Sequence, residues 1–343
     1  MKPGSVYLSR PMVMRRSCHL VFMFAWLACS RAVAGPATLA VAAPEARQVR
    51  AAPEPAAQRL FLRSASTRHV KKTSAIPLVI YVTSYESTLQ GDLKLLWDAN
   101  RAFFPPQARL DYYNDEQMYR SVREISKSLE AGGVASGAFE AFRLLRPGAY
   151  RADLWRYMKL WADGGVYLDA KIKLLRPLQE WIDFNGNGSL QVVKDFNPGD
   201  LWNAVIASRP KCKRLAAVIR LVVAQIKDRT YRRDLPKYEG WLAITGPRAL
   251  AEGLGMQGAS GMYESWHFDR FATVPGSSGT PEIDGEMSIT RADTVVLSEV
   301  DHTPVAMVNA AVHGSHGGGR YATQWVHHQV YCDEPGPPCQ TWP

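Results

Sequence analysis

The stretch from Pro147 to Leu178 constrains the fold of this chain more than any other. It begins with a Pro-Gly turn signal, and residues 149–162 follow without glycine or proline, which predicts a helix. Asp163-Gly164-Gly165 comes next, where glycine can end a helix in the left-handed conformation. Residues 166–168 then predict a short buried strand with Asp169 at its end. A helix that leads into a strand tipped by a carboxylate is typical of the ligand-binding edge of an open α/β sheet.

Two charged residues of the predicted helix, Asp153 and Arg156, are candidates for binding a ligand. They lie three positions apart, so they project from the same helix face. One interpretation is a surface ion pair that contributes about 0.2–0.5 kcal/mol. The other is a polar binding site for a hydroxylated ligand, in which the carboxylate accepts hydrogen bonds from sugar hydroxyls and the guanidinium donates to them. Spacing alone leaves both interpretations open.

The same stretch resembles the motif of a known family, the glycosyltransferases with a DxD sugar-binding motif (family 32). This family includes the yeast Golgi mannosyltransferases, and the clostridial glucosylating toxins carry a related core. The pattern resembled is A-x-x-(S/A)-D-x-x-R-x-x-x-L-x-x-x-G-G-x-Y-x-D-x-D. The chain matches it at Asp153, Arg156, Leu160, Gly164, Gly165, Tyr167 and Asp169.

One position departs from the pattern, because Lys171 stands where the family has its second aspartate. In the family that aspartate resembles a ligand of the divalent ion that neutralises the nucleotide diphosphate. A protonated lysine cannot ligate a metal ion, but it carries a positive charge of its own. Lys171 therefore pairs with the diphosphate in place of the metal, points away from the site, or marks a degenerate, inactive domain.

The resemblance implies an α/β fold of GT-A-like type, with a Rossmann-like, mostly parallel sheet flanked by helices in a single catalytic domain. It implies transfer of a hexose from a nucleotide-diphosphate sugar to a glycan or glycolipid acceptor, with retention that gives an α-linkage. Asp153, Arg156 and Asp169 would be the catalytic set, and Mn²⁺ or Mg²⁺ would be the cofactor. The alternative is a non-catalytic module that binds a nucleotide sugar or carbohydrate through a degenerate motif.

Further candidates would bind the donor or the metal. Residues 78–82 predict the first strand, and the resemblance implies that this strand presents backbone to the nucleobase. Asn203 belongs to a segment similar to another family motif, although a core amide with a capping role explains it equally well. His313 lies in a Gly-rich segment that could close over a diphosphate or form a solvated surface loop, and with Asp169 it is the predicted metal ligand. The predicted donor-binding residues are Val82, Thr83, Tyr150, Gly164, Gly165, Tyr167, Lys171, Asn203, His313 and Arg320.

Other elements are predicted from apolar patterns and turn signals. A helix is expected around residues 89–103, strands at 109–113 and 190–193, and a helix from Pro210 through Ile226. The alternation of strands and helices up to residue 168 predicts a parallel sheet. Thr245-Gly246-Pro247 matches a second family landmark, in which we expect Thr245 to cap the following helix and Pro247 to occupy its first turn.

The charge is concentrated at the N-terminus. Residues 1–75 hold 12 Lys/Arg and 2 Asp/Glu, whereas the whole chain holds 41 and 32. The remainder is nearly neutral, so the basic net charge does not indicate nucleic-acid binding. Residues 35–75, rich in Ala, Pro and Arg, predict a flexible stem, and residues 76–343 predict the glycosyltransferase domain.

Residues 1–34 predict a targeting segment with a basic start, an apolar run and an Ala-x-Ala site at Ala32–Ala34. The run, Leu20–Cys29, is shorter than the ~18–20 residues that span a bilayer, which favours a cleaved signal peptide. The family resemblance favours a signal-anchor. We therefore expect entry into the secretory pathway, either as a type II membrane protein in the Golgi or ER lumen or as a secreted protein.

Cysteine positions fit such a compartment. Cys332 and Cys339 flank a turn-rich segment and could form a disulfide in an oxidising lumen, which would leave Cys212 as a buried free thiol. Asn187-Gly188-Ser189 is a glycosylation sequon. The chain lacks the G-x-S-x-G, H-E-x-x-H and P-loop motifs, so common hydrolase, zinc-protease and P-loop classes have no support.

Overall fold

The computed structural model describes residues 75–186, 188–195, 197–235, 237–256, 271–274, 282–283, 286–287, 294–298, 301–309 and 320–341. The strands in this part of the chain are β1 (Val79–Thr83), β2 (Arg109–Tyr113), β3 (Gly165–Leu168), β4 (Ile172–Leu174), β5 (Leu190–Lys194), β6 (Leu201–Ser208), β7 (Phe271–Val274), β8 (Glu282–Ile283), β9 (Glu286–Met287), β10 (Val295–Ser298) and β11 (Pro304–Val308). The helices are α1 (Gly91–Asn100), α2 (Asp115–Ala131), α3 (Ala138–Leu144), α4 (Gly148–Asp163), α5 (Leu178–Trp181), α6 (Lys213–Lys227), α7 (Lys237–Leu242), α8 (Pro247–Gly253) and α9 (Arg320–Val326).

The described strands other than β8 and β9 form one sheet, in the order β2-β1-β3-β6-β5-β7-β10-β11-β4. Strand β1 pairs in parallel with both β2 and β3, as the alternation of strands and helices predicts. Strand β6 runs antiparallel to β3 and β5, and β11 runs antiparallel to β10 and β4. The predicted α/β class is confirmed, and the sheet is mixed: the β2-β1-β3 group is parallel, as is the short β5–β7 pairing.

Hydrophobic cores lie on both faces of this sheet. Because successive side chains of a strand point to opposite faces, Tyr81 and Tyr167 pack with α2, α4 and α6. Ile80 and Val166 point the other way and pack with α1. The part of the sheet around β1 and β3 is thus enclosed between helices.

Two glycines make the tight connection from α4 to β3. Gly164 has φ +67° and Gly165 has φ +108°, in the region that favours glycine. A Cβ on Gly164 would lie 2.7 Å from Cδ of Pro210, and one on Gly165 would lie 2.7 Å from the carbonyl oxygen of Val79. Both conformation and space therefore require glycine at these positions.

The predicted helix at Pro210 starts three residues too early, because α6 begins at Lys213. Lys211 has φ +57°, which is incompatible with a right-handed helix, and its N–H donates to the carbonyl of Trp161 at 2.6 Å. The expected helix 89–103 is α1 followed by a single 3₁₀ turn, Arg101–Phe103.

The cysteine predictions are confirmed. Cys332 and Cys339 form a disulfide, and Cys212 is a buried free thiol. Arg146 holds this C-terminal segment by donating to the carbonyls of Gln329 and Glu334, each at 2.7 Å. Among the helices of the described ranges, none combines the length and apolar character of a membrane span. The predicted targeting segment, residues 35–74 of the predicted stem and the sequon asparagine lie outside the described residues.

Candidate active site

Helix α4 and strand β3 bring the three predicted catalytic residues together. Asp153 and Arg156 lie on the same face of α4, and Asp169 directly follows β3. Nη2 of Arg156 lies 2.9 Å from Oδ1 of Asp153, and Nη1 lies 3.2 Å from Oδ1 of Asp169. One guanidinium therefore joins two carboxylates from different elements.

This arrangement is buried, unlike a surface ion pair. The side chains of Arg156 and Asp153 are 6% and 12% exposed. Burial raises the pKa of Asp153, and Arg156 with the Thr245 hydroxyl opposes that rise. Burial acts to lower the pKa of Arg156, but its ring and carboxylate neighbours raise it overall, so the guanidinium remains charged. Buried charges of this kind are stable only while their partners are in place.

Asp153 has two further partners that come from distant parts of the chain. Nδ2 of Asn203 donates to Oδ1 at 2.9 Å, and the hydroxyl of Thr245 donates to Oδ2 at 2.9 Å. The carbonyl of Asn203 also accepts from Nη1 of Arg156 at 2.6 Å. Asn203, in the middle of β6, therefore contacts both Asp153 and Arg156 and does not cap a helix.

The capping role expected of Thr245 is wrong. Helix α8 has Gly246 at its N-cap, without a side-chain capping bond, and begins with Pro247 as expected. The Thr245 hydroxyl donates instead to the Asp153 carboxylate, which makes a charge-assisted hydrogen bond.

Asp169 is held by its own strand and by β6. The phenol of Tyr167 donates to Oδ1 at 2.7 Å, and the Tyr167 ring lies 4.3 Å from the Arg156 guanidinium carbon. The N–H of Asp169 donates to the carbonyl of Ala204 at 2.9 Å. These contacts orient the carboxylate before any ligand binds.

The last two residues of the motif, Ala170 and Lys171, are held by hydrogen bonds to their backbone carbonyls. Trp97 donates its indole N–H to the carbonyl of Ala170 at 2.7 Å. The N–H of Asn309, just after β11, donates to the carbonyl of Lys171 at 2.8 Å. The motif is therefore held from α1 on one side and from β11 on the other.

Two cavities meet at this cluster. The outer cavity, about 450 Å³, extends past the carboxyl end of β1 and is lined by Thr83, Tyr85, Asp115 and Arg146, among others. The inner cavity, about 130 Å³, is lined by a different set that includes Tyr150, Asp153, Trp202, Asn203 and Trp241. Arg156, Asp169 and Lys171 line both. A ligand that occupied both cavities would therefore lie against the charged cluster.

The predicted donor-binding residues divide between these places. Thr83 and Tyr167 line the outer cavity, Tyr150 and Asn203 line the inner one, and Lys171 lines both. The side chain of Val82 is fully buried in the core, so only its backbone is available to a ligand. Gly164 and Gly165 line neither cavity and pack between α4 and its neighbours. His313 lies outside the described residues, as does the side chain of Arg320, the first residue of α9.

Sequence reasoning missed several site residues. Trp202 and Trp241 carry no motif of their own, although each lies beside a family landmark. Asp115 and Arg146 look like ordinary surface charges in the sequence. The structure places all four on cavity walls.

The resemblance implies a divalent ion at the D-x-D motif, and the described residues do not fit one. Across these parts of the chain, no group of three or more His, Cys, Asp or Glu side chains is placed to hold a metal ion. Oδ1 of Asp169 is shared between Arg156 and Tyr167, and Lys171 occupies the second motif position. A lysine ammonium is a donor with no lone pair to offer a metal.

Known proteins resemble this chain over part of its length. Residues 96–186 match the family described as a glycosyltransferase sugar-binding region containing the DXD motif. The initiation-specific alpha-1,6-mannosyltransferase of Candida albicans is 34% identical over 67 residues, which is 20% of this chain and 14% of that protein. The solved PaToxG glycosyltransferase is 14% identical, with a TM-score of 0.39, over 53% of this chain and 69% of that chain.

The predicted family resemblance is confirmed over residues 96–186, which are similar to the sugar-binding region of the glycosyltransferases with a DXD motif. This segment contains α4, β3 and the cluster of Asp153, Arg156 and Asp169.

Proposed function

We propose that the protein transfers a hexose from a nucleotide-diphosphate sugar to a glycan or glycolipid acceptor. The observation that carries this proposal is the buried Arg156, which joins Asp153 to Asp169 where the outer and inner cavities meet. Carboxylates and a guanidinium in fixed positions can form hydrogen bonds with several sugar hydroxyls at once.

The outer cavity suits the nucleotide. It lies at the carboxyl ends of parallel strands, where α/β sheets bind nucleotides. Arg146 and Lys171 on its wall provide positive charge for phosphates.

The inner cavity suits the hexose. Asp153 and Asn203 offer a carboxylate and an amide to sugar hydroxyls, while Trp202 and Trp241 offer apolar ring surface to its C–H groups. The anomeric carbon would then lie near the junction, beside Asp169 and Lys171.

The proposed reaction retains configuration. The bond between the anomeric carbon and the diphosphate oxygen breaks, and its electron pair stays with the phosphate. The acceptor hydroxyl oxygen bonds to the same face of that carbon, and its proton passes to the departing phosphate oxygen. Asp153 and Asp169 are both paired with Arg156, which argues against either as the base. Lys171 stabilises the charge that develops on the diphosphate.

The secretory pathway is the proposed location. The Cys332–Cys339 disulfide is typical of proteins in oxidising compartments, which agrees with the N-terminal targeting segment expected from the sequence.

The test is hydrolysis of UDP- and GDP-linked hexoses by the purified full chain, with Mn²⁺ and with EDTA. Turnover of one donor would support the proposal. Turnover that survives EDTA would support Lys171 in place of a metal, and turnover lost in EDTA would mean that residues elsewhere complete a metal site. A protein that neither hydrolyses nor binds any of these donors would contradict the proposal.

A further inference from the structure

Thr245 is fully buried next to the sugar-binding cluster, yet it lines neither cavity. It lies between α7 and α8, and its hydroxyl donates to Oδ2 of Asp153 at 2.9 Å. Since α8 gains no side-chain cap from it, the capping of that helix does not account for this residue.

The Thr245 hydroxyl occupies one of the lone pairs of the Asp153 carboxylate, and this decides where Asp153 can accept a further hydrogen bond. Oδ1 is ion-paired with Nη2 of Arg156 and accepts a hydrogen bond from Nδ2 of Asn203, each at 2.9 Å. Oδ2 receives the Thr245 hydroxyl, which leaves one lone pair on that oxygen for another donor. Because Asp153 lines the inner cavity, a ligand hydroxyl there is the group that can fill this place.

Thr245 is itself held in a closed hydrogen-bonded ring. The phenol of Tyr157 donates to the carbonyl of Thr245 at 2.9 Å and accepts from Nδ2 of Asn203 at 3.1 Å. Asn203 returns to Asp153, which completes the ring. Burial raises the pKa of Tyr157 well above its ordinary value, so the phenol keeps the proton that it donates.

We propose that Thr245 is a positioning residue for sugar recognition, whose hydroxyl aims the free lone pair of Asp153 into the inner cavity. The proposal rests on the proposed function, because it assumes that the inner cavity holds the sugar. It assigns Thr245 a contribution to binding the sugar part of the donor and none to binding the nucleotide.

The experiment compares wild-type full chain with Thr245→Val and Thr245→Ser by calorimetric titration. The probes are UDP-glucose, UDP-galactose and GDP-mannose, with UDP and GDP as sugar-free references. Thr245→Val should weaken binding of the nucleotide sugar by about 10-fold, the effect of one lost hydrogen bond to a charged group. Binding of the nucleoside diphosphate should not change, and Thr245→Ser should restore the nucleotide-sugar affinity. Thermal unfolding of all three proteins establishes that they are folded.

Tyr157→Phe provides a second route, because it removes the phenol that holds Thr245 without altering Thr245 itself. The Tyr157→Phe variant should also bind the nucleotide sugars more weakly, with unchanged affinity for UDP and GDP. Equal weakening for sugar-linked and sugar-free nucleotides would overturn the proposal, since that pattern marks a purely structural role. An unchanged Thr245→Val protein would overturn it too, while a wild type that binds none of the sugar probes would overturn the proposed function itself.

Discussion

Nη1 of Arg156 lies 3.2 Å from Oδ1 of Asp169, and this contact joins helix α4 to the end of strand β3. The same guanidinium pairs with Asp153 one turn earlier on its own helix. Both acidic positions of the matched motif thus depend on one cation, which holds them in place without a ligand.

Replacing Arg156 with lysine should impair both stability and activity. A lysine ammonium cannot reproduce the planar fork that reaches two carboxylates, so at least one stays buried and unpaired. We expect a loss of roughly 3–5 kcal/mol in the free energy of unfolding. Urea unfolding and donor hydrolysis measure the two effects. Arg120→Lys is the matched control, because Arg120 forms an exposed pair with Glu116 and should cost under about 0.5 kcal/mol. Equal effects of the two substitutions would contradict this account of Arg156.

Replacing Lys171 with aspartate restores the family motif and should make turnover depend on a divalent ion. The substitution removes the positive charge proposed to stabilise the diphosphate and supplies a second carboxylate near Asp169. Donor hydrolysis by Lys171→Asp should therefore fall in EDTA and recover with Mn²⁺. Lys173→Ala, two residues along on the exposed side of β4, should behave like wild type. If Lys171→Asp and wild type hydrolysed the donor at the same rate when both were assayed in EDTA, Lys171 would not act on the diphosphate.

The disulfide should support the rim of the outer cavity. Arg146 lines that cavity and donates to Gln329 and Glu334 on either side of Cys332. The double variant Cys332→Ser/Cys339→Ser should lose about 2–3 kcal/mol of stability and bind the nucleotide more weakly. Thermal unfolding and nucleoside-diphosphate titration give these values. Wild type treated with dithiothreitol should match the double variant. A double variant as stable as oxidised wild type would refute this role.

Gly164→Ala should destabilise the protein far more than an alanine at another left-handed glycine. The new Cβ would lie 2.7 Å from Pro210 in addition to the strain of a positive φ. Gly133 is the matched control, since it has φ +63° and nothing within 4 Å of its added Cβ. Gly133→Ala should cost only the backbone strain, about 1–2 kcal/mol. Similar midpoints for the two variants in urea unfolding would mean that the contact with Pro210 relaxes freely.

Local patterns in the sequence predict the centre of this structure well. The spacing of Asp153, Arg156 and Asp169 along one helix and the following strand is a local property, and so is the Cys332–Cys339 pairing. The contact between Thr245 and Asp153 could not be predicted, because 92 residues separate them and only the tertiary fold brings the two together. The antiparallel pairings of the mixed sheet could not be predicted for the same reason, since β4 pairs with β11, which is distant in the sequence.

The most direct measurement of the central claim compares wild type with Asp169→Asn for both donor binding and donor turnover. The substitution keeps the shape of the side chain and removes the charge that faces Arg156. An enzyme should lose most of its turnover, at least about 100-fold, while nucleotide binding persists. Turnover unchanged from wild type would contradict the account. A third outcome is also informative. If wild type bound the donor without turning it over, and Asp169→Asn only weakened that binding, the protein would be a binding module instead of a transferase.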